Sequence, residues 1–191
     1  MKNLGTQTIE TERLILRKAR PQDAQAMFDN WASDDNVTKF MTWQTYTAIE
    51  EAHWRISYLV GEYANDNCYE WFIDLKEIGQ PIGSIGAVRV EDDVQLAHIG
   101  YCIGSRWWRQ GITTEAFRAL IPFFFEEVGA DRVEARHDPA NPNSGRVMRA
   151  CGLTYEGTLR QAATNNQGVV DLCIYSILRS EYEAQRAEGD A

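Results

Sequence analysis

Ile99-Gly-Tyr-Cys-Ile-Gly-Ser-Arg-Trp-Trp-Arg-Gln-Gly-Ile-Thr-Thr114 runs from an alternating strand through a basic, glycine-containing turn into a long helical stretch. A strand–loop–helix unit of this kind leaves the first N–H groups of the helix without partners. The helix dipole adds to their positive end, so a phosphate fits there without a side-chain clamp. Gly111 permits close backbone approach, and Arg106 and Arg109 add positive charge. A plain connection between strand and helix remains the alternative reading of the same residues. The chain has no G-x-x-x-x-G-K-[ST] and no G-x-G-x-x-G, so nucleoside triphosphate and dinucleotide sites lose support.

Outward from this unit, strand and helix patterns alternate. Leu14 to Arg17 reads as a strand, and Pro21-Gln22-Asp23 opens a helix with Ala24, Met27, Phe28 and Trp31 on one stripe. Thr47-Ala-Ile-Glu50 has the form of a capping box, followed by Ile49, Ala52, Ile56 and Leu59 at helical spacing. Tyr69 to Ile73, Ile82 to Val88 and Val94 to Ile103 form an antiparallel meander with turns at Gly79-Gln80-Pro81 and Glu91-Asp92-Asp93. A helix from about Thr114 to Val128 closes at Gly129, with Pro122 inside it as a source of bending. Arg132 to Arg136 is strand-like, and Asn141-Pro142 starts a short helix that Gly152 ends. Two strands, roughly Tyr155 to Ala163 and Val169 to Leu178, flank a turn at Asn165-Asn166-Gln167-Gly168. The expectation is a single-domain α/β (α+β) fold, a mixed and mostly antiparallel sheet of six to seven strands with about four helices. Residues 1–7 and 183–191 read as flexible ends around a domain over 8–182.

The 191 residues carry 19 Lys and Arg against 28 Asp and Glu, a net charge of -9. That balance argues against a protein whose main task is gripping nucleic acid phosphates, and fits a cationic amine partner or simple solubility. No apolar run approaches the roughly 20 residues of a membrane span, and Met1 to Arg13 contains no apolar signal core. Cys68, Cys102, Cys151 and Cys173 are far apart and form no C-x-x-C. They read as reduced thiols in a cytoplasmic protein, with no metal site.

In order and spacing the chain resembles the GNAT acyltransferase superfamily, in its RimJ/RimL-like branch of N-acetyltransferases, over about residues 8–180. The matching pieces are Thr11-Glu-Arg-Leu-Ile-Leu-Arg17, Ala32-Ser-Asp34 with Val37-Thr38 and Thr42-Trp43, and His98-Ile-Gly-Tyr101. Trp108-Arg-Gln-Gly-Ile-Thr-Thr-Glu-Ala116, Asp138-Pro-Ala-Asn-Pro-Asn-Ser144, Val147 and Cys151-Gly-Leu153 complete them. The resemblance implies a GNAT fold and acetyl-CoA as cosubstrate, its acetyl group passing by direct attack to a primary amine. A protein N-terminus and a small amine are the acceptor classes it leaves open; a non-catalytic acyl-CoA-binding module is the rival reading. The chain would act as a monomer or homodimer.

The resemblance also assigns residues. Loop amides of Arg109, Gln110, Gly111, Ile112, Thr113 and Thr114 would hold the pyrophosphate, and the backbone of Cys102, Ile103 and Gly104 would pair with the pantetheine arm. Trp108 and Thr113 depart from the superfamily loop pattern, which has Gln or Arg at the first position and Gly or Ala at the second. Asn141 would hold the cofactor arm, and the Ser144 hydroxyl would protonate the departing thiolate. Both also make sense as the start of a helix. His98 stands where the branch often has Glu, on the strand face shared by residues 96, 98, 100 and 102. There it would accept the amine's proton, with a rate limb near the unperturbed histidine value, about pH 6–7. A packed histidine is the alternative. Glu115 reads as structural, the Cys102 thiol as packing, and Phe40 and Trp43 as walls of an acceptor slot.

Overall fold

The computed structural model describes residues 1–189. One sheet of eight strands runs through it in the order β1-β2-β3-β4-β5-β6-β8-β7. The strands are β1 (Ile9–Glu10), β2 (Leu14–Arg17), β3 (Glu70–Leu75), β4 (Gln80–Glu91), β5 (Leu96–Ile103), β6 (Arg132–His137), β7 (Thr154–Asn165) and β8 (Gly168–Leu178). The strand beyond the expected seven is β1, two residues long and therefore without a readable alternation of its own. Every neighbouring pair is antiparallel except β5 and β6, which run parallel. A parallel pair needs a crossover, and the helix after β5 supplies it.

Helices cover both faces. α1 (Ala24–Met27), α2 (Asp35–Thr38) and α3 (Ile49–Glu62) bury Met27, Trp31, Val37, Ile56 and Leu59 against Phe72. α4 (Ile112–Pro122) and α5 (Pro142–Ala150) cover the other face, where Trp71, Ile85, Ile99, Phe117, Phe124 and Val133 form the larger core. The expected bend at Pro122 takes a definite form. α4 ends there and the chain widens into a π-helical turn over Phe123–Val128, since proline has no N–H to continue the narrower ladder. The start of α3 sits one residue later than its sequence suggests. Ala48 is the N-cap, and Glu51, not Glu50, accepts the amides of Thr47 at 2.7 Å and Ala48 at 3.0 Å.

Residues near both ends make contacts with the sheet and its helices. The Lys2 amide donates to Val128 O at 2.8 Å, the Leu4 amide to the Tyr69 hydroxyl at 3.0 Å, and Thr6 Oγ1 to Cys68 O at 2.9 Å. α6 (Arg179–Gly189) packs Tyr182 on Phe125 with ring centroids 4.9 Å apart. Residues 190–191 of the expected tail lie outside the described residues.

Candidate functional site

The site arises from a split in the sheet. β5 and β6 pair from Leu96–Arg132 to Ile99–Ala135. Beyond that point each strand follows a different neighbour. Gly100 to Ile103 continue along β4, while Arg136 and His137 continue along β8. The wedge between them holds a cavity of about 620 Å³. Because it lies beside β5, in the plane of the sheet, the consecutive residues Tyr101, Cys102 and Ile103 all line it whichever face their side chains take. Arg109, Gly111, Ile112, Thr113 and Thr114 line it from the start of α4, and Ala140 to Ser144 from the start of α5. Asn36, Val37, Lys39, Phe40 and Met41 close the side that α2 leads into.

The turn into α4 is strained in the direction a ligand loop needs. Arg109 has φ +61° and Gly111 has φ +76°, left-handed conformations that only glycine adopts without penalty. The amides of residues 109–114 donate to no group among the described residues, and the first bond of this helix start is Glu115 N to Gly111 O at 2.9 Å. Six unpaired donors would be costly if buried dry; five of their residues line the cavity, where a free donor can meet water or a ligand. The charged residues lining the cavity are Lys39, Arg109 and Arg146, with no carboxylate among them, in a chain of net charge -9.

The N-terminal signature holds this turn in place. Glu115, one turn into α4, accepts Thr11 Oγ1 at 2.6 Å, the Arg13 amide at 3.0 Å and Arg13 Nε at 2.7 Å. Arg13 Nη1 also donates to Gln110 O at 3.0 Å. Burial alone would raise the Glu115 carboxyl, but these donors outweigh it and hold it below its usual range. Its structural reading from sequence thus acquires a specific job. At the other end of the turn, Trp108 Nε1 donates to Ile103 O at 2.9 Å, pinning the loop to the last residue of β5.

At the start of α5, Asn141 is the N-cap and Pro142 follows at the first helical position. Asn141 Nδ2 donates to Ser144 Oγ at 3.2 Å. The Tyr101 phenol lies beside the same hydroxyl, so Ser144 is engaged by both residues at the edge of the cavity. Tyr101, absent from the sequence-derived site, donates its hydroxyl to Ser144 O at 3.0 Å and packs on Phe117 with centroids 5.8 Å apart. Burial pushes this phenol above its usual range, so it acts as a fixed donor. Its signal in the sequence was an aromatic hydroxyl inside the Ile-Gly-Tyr run, on the strand face opposite His98.

Of the residues expected at the site, Cys102, Ile103, Arg109, Gly111, Ile112, Thr113, Thr114, Asn141 and Ser144 converge on this one cavity. Gly104, Gln110 and His98 are not among its lining residues. A Cβ on Gly104 would stand 2.1 Å from Asn30 O, so this glycine serves the packing of the α1–α3 side. Gln110 turns its amide to Arg106 O at 3.0 Å. His98 lies in the stretch of β5 still paired with β6, between Arg89 and Glu134. Burial first, then Arg136 and Arg89 against the opposing Glu134, push the imidazole down to about 4. It is therefore neutral across the physiological range, and a rate limb at 6–7 does not belong to it. The Cys102 thiol, 3.5 Å from Ser84 Oγ, is raised by burial and is a poor nucleophile. Phe40 lines the cavity, whereas Trp43 packs with Tyr46 beside the α1–α3 core.

The family model of the acetyltransferase (GNAT) domain matches residues 13–154. The chain is 32% identical over 171 residues to the uncharacterized N-acetyltransferase YoaA of Bacillus subtilis, covering 90% of this chain and 96% of that protein. It is 25% identical over 165 residues to the [ribosomal protein uS5]-alanine N-acetyltransferase of Escherichia coli, covering 81% of this chain and 82% of the relative. Among solved structures, a GNAT-family acetyltransferase from Bacillus anthracis shares the fold with TM-score 0.79 and 23% identity, over 91% of this chain and 99% of that one. Among the described residues no helix is long and apolar enough to cross a membrane.

Proposed function

The chain belongs to the GNAT acetyltransferase family, related to the ribosomal-protein acetyltransferases, and from that premise we propose that it moves the acetyl group of acetyl-CoA to a primary amine by direct attack. The observation that carries this reading is the charge and hydrogen-bond character of the cavity. The unpaired amides of Arg109 and of Gly111 to Thr114 belong to residues lining the same space as the cations Lys39, Arg109 and Arg146, in an acidic protein, a surface for a polyphosphate ligand. Lying beside the edge of β5 that β6 has left, that space suits an extended arm such as pantetheine.

At the reacting end the amine nitrogen adds to the thioester carbonyl. The tetrahedral intermediate expels CoA as a thiolate, and the nitrogen gives up its proton. Ser144, which lines the cavity, donates to the sulfur; Asn141 and Tyr101 hold that serine by its Oγ and its carbonyl. His98, neutral, weakly basic and set back from the cavity lining, accepts the amine's proton through an intervening water. A weak base suits an acceptor that is already partly neutral: an α-amine near 7.8 is about 14% neutral at pH 7, a lysine amine near 10.4 only about 0.04%. This favours a protein or peptide N-terminus over a lysine side chain, in line with the alanine acceptor in the name of the relative from Escherichia coli.

The test is thiol release at fixed acetyl-CoA against peptides with free N-termini and a panel of small primary amines. Turnover with N-terminal peptides supports the reading, and turnover confined to small amines replaces the acceptor class. Binding of acetyl-CoA with no turnover on any amine leaves a non-catalytic acyl-CoA module.

A further inference from the structure

The segment that walls the cavity opposite α4 and α5 has little structure of its own. After α2 ends at Thr38, residues 39–48 run without regular helix or strand to the start of α3, yet Phe40 and Met41 line the cavity. Local bonds such as Thr45 Oγ1 to Asp35 Oδ1 at 2.6 Å and Tyr46 N to Ala32 O at 2.9 Å hold its base, and its tip is held by a turn 128 residues away. Asn166, in the two-residue turn between β7 and β8, donates Nδ2 to Thr38 O at 2.9 Å and to Trp43 O at 2.8 Å. Its amide donates to Met41 O at 3.2 Å, and its Oδ1 accepts Gln44 Nε2 at 2.5 Å. One side chain and its backbone thus satisfy polar groups that no ladder reaches.

The residue just before the turn, the last of β7, grips the opposite wall. Asn165 Nδ2 donates to Asp138 Oδ2 at 2.9 Å, and Asp138 Oδ1 accepts the Ala140 amide at 2.8 Å. Ala140 leads directly into Asn141 and Ser144, so the turn is attached at the Ser144 end of the cavity and not at the phosphate-binding start of α4.

We infer that the Asn165–Asn166 turn is a keystone joining the two walls at the reacting end, and that Asn166 is a positioning residue for the acceptor amine through the Phe40–Met41 wall. The inference rests on the transferase reading above. The turn touches neither the 109–114 amides nor Arg109 and Arg146, the groups nearest the start of α4; Lys39, beside Thr38, is the one cavity cation close to it, so its effect falls on the acceptor before the cofactor's phosphates.

Asn166→Asp is nearly isosteric and replaces two donors with a carboxylate facing the carbonyls of Thr38 and Trp43. Asn165→Asp sets a second carboxylate against Asp138. Combining it with Asp138→Asn exchanges donor and acceptor and restores that bond. The measurement is thiol release with the best peptide or amine acceptor of the wild-type protein, alongside calorimetric titration of CoA. Asn166→Asp should raise the acceptor KM by about tenfold, the scale of a lost buried hydrogen bond replaced by repulsion, with CoA affinity within about twofold. Asn165→Asp should do the same to a smaller degree, and the exchanged pair should recover the wild-type KM. A folded Asn166→Asp with unchanged acceptor KM, or one losing CoA affinity in parallel, overturns the inference, as does failure of the exchanged pair to recover. If the wild-type protein releases no thiol with any amine, the transferase reading has failed and the keystone role with it. A wild-type enzyme that turns over while its variants match it defeats only the keystone.

Discussion

Two helices begin at the cavity, each after one of the only two parallel strands, and they use their first turns differently. α4 starts at a glycine with left-handed backbone, and no side chain caps it. Its donors stay free, and its position is set from outside by Thr11 and Arg13 holding Glu115. α5 starts at Asn141 and Pro142; proline removes one donor, and the cap side chain turns to Ser144 Oγ at 3.2 Å. One helix start keeps its amides for a ligand's charge, while the other organises a single hydroxyl. Binding and chemistry are thereby separated along the chain by about one crossover, although both face one space. Perturbing the α4 start should act on affinity, and perturbing the α5 start on turnover.

Ser144→Ala tests the sharper half of that contrast. Loss of the proton donor should lower kcat by about 10²-fold, the low end of what general acid catalysis contributes, because water can partly substitute. CoA affinity should hold, the signature of an interaction made only in the transition state. Steady-state rates at saturating acetyl-CoA check it, and an unaltered kcat would make Ser144 an ordinary first-turn residue.

Gly111→Asp tests the other half, and it should weaken CoA binding by at least about tenfold, or 1.4 kcal/mol. The substituted residue would be strained at φ +76°, and its Cβ would stand 3.6 Å from Arg13 Nη2. Circular dichroism must therefore accompany the calorimetric titration. A folded variant that binds CoA like the wild type would remove the α4 start from the site.

Glu115→Gln probes how the loop is held from outside. It keeps the shape but weakens the grip of Thr11 and Arg13, and should cost about 1 kcal/mol of stability with a threefold to fivefold loss of CoA affinity. Since the carboxyl is held below its usual range, that stability is present at neutral pH and fades as pH falls through about 4.5. A lowered Tm with unchanged CoA affinity would show that the clamp serves the fold alone.

His98 should give the smallest change in rate and the clearest dependence on pH. Its folded pKa of about 4 lies below the unfolded value of 6.5, so the unfolded chain binds more protons between those limits. Stability should therefore be complete above about pH 6.5 and fall towards pH 4, by on the order of 2 kcal/mol. His98→Gln should flatten that slope in a Tm series. It should also lower kcat/KM about tenfold, with no change in profile above pH 5, where the acceptor's own amine sets the limb. An unchanged rate with every acceptor would leave His98 as a packed strand residue.

Much of this site was legible before any coordinates. The strand–turn–helix at 99–114 and Asn141-Pro142 announce themselves because their signals are local: alternation, glycine, a cap and a proline. Tyr101 was missed because strand alternation assigns residues to faces, whereas the cavity lies along an edge. His98 was expected beside the chemistry for the same reason. On its strand face it is in phase with Cys102, but it falls in the part of β5 that β6 still covers.

The order of elements, the mixed sheet with one crossover and the glycine turn into α4 follow from the preferences of neighbouring residues, so a single chain is enough to read them. Where β5 and β6 part is a tertiary matter, because the far edge of each is held by a different strand, β4 for β5 and β8 for β6, through long-range pairing. The same holds for the titration of His98, lowered first by burial and then by Arg136 and Arg89 from other strands, and for the hold of Asn166 on Thr38 and Trp43. Hydrogen bonds between residues more than a hundred positions apart leave no period or motif in a single chain; they exist only once the fold has brought the two segments together.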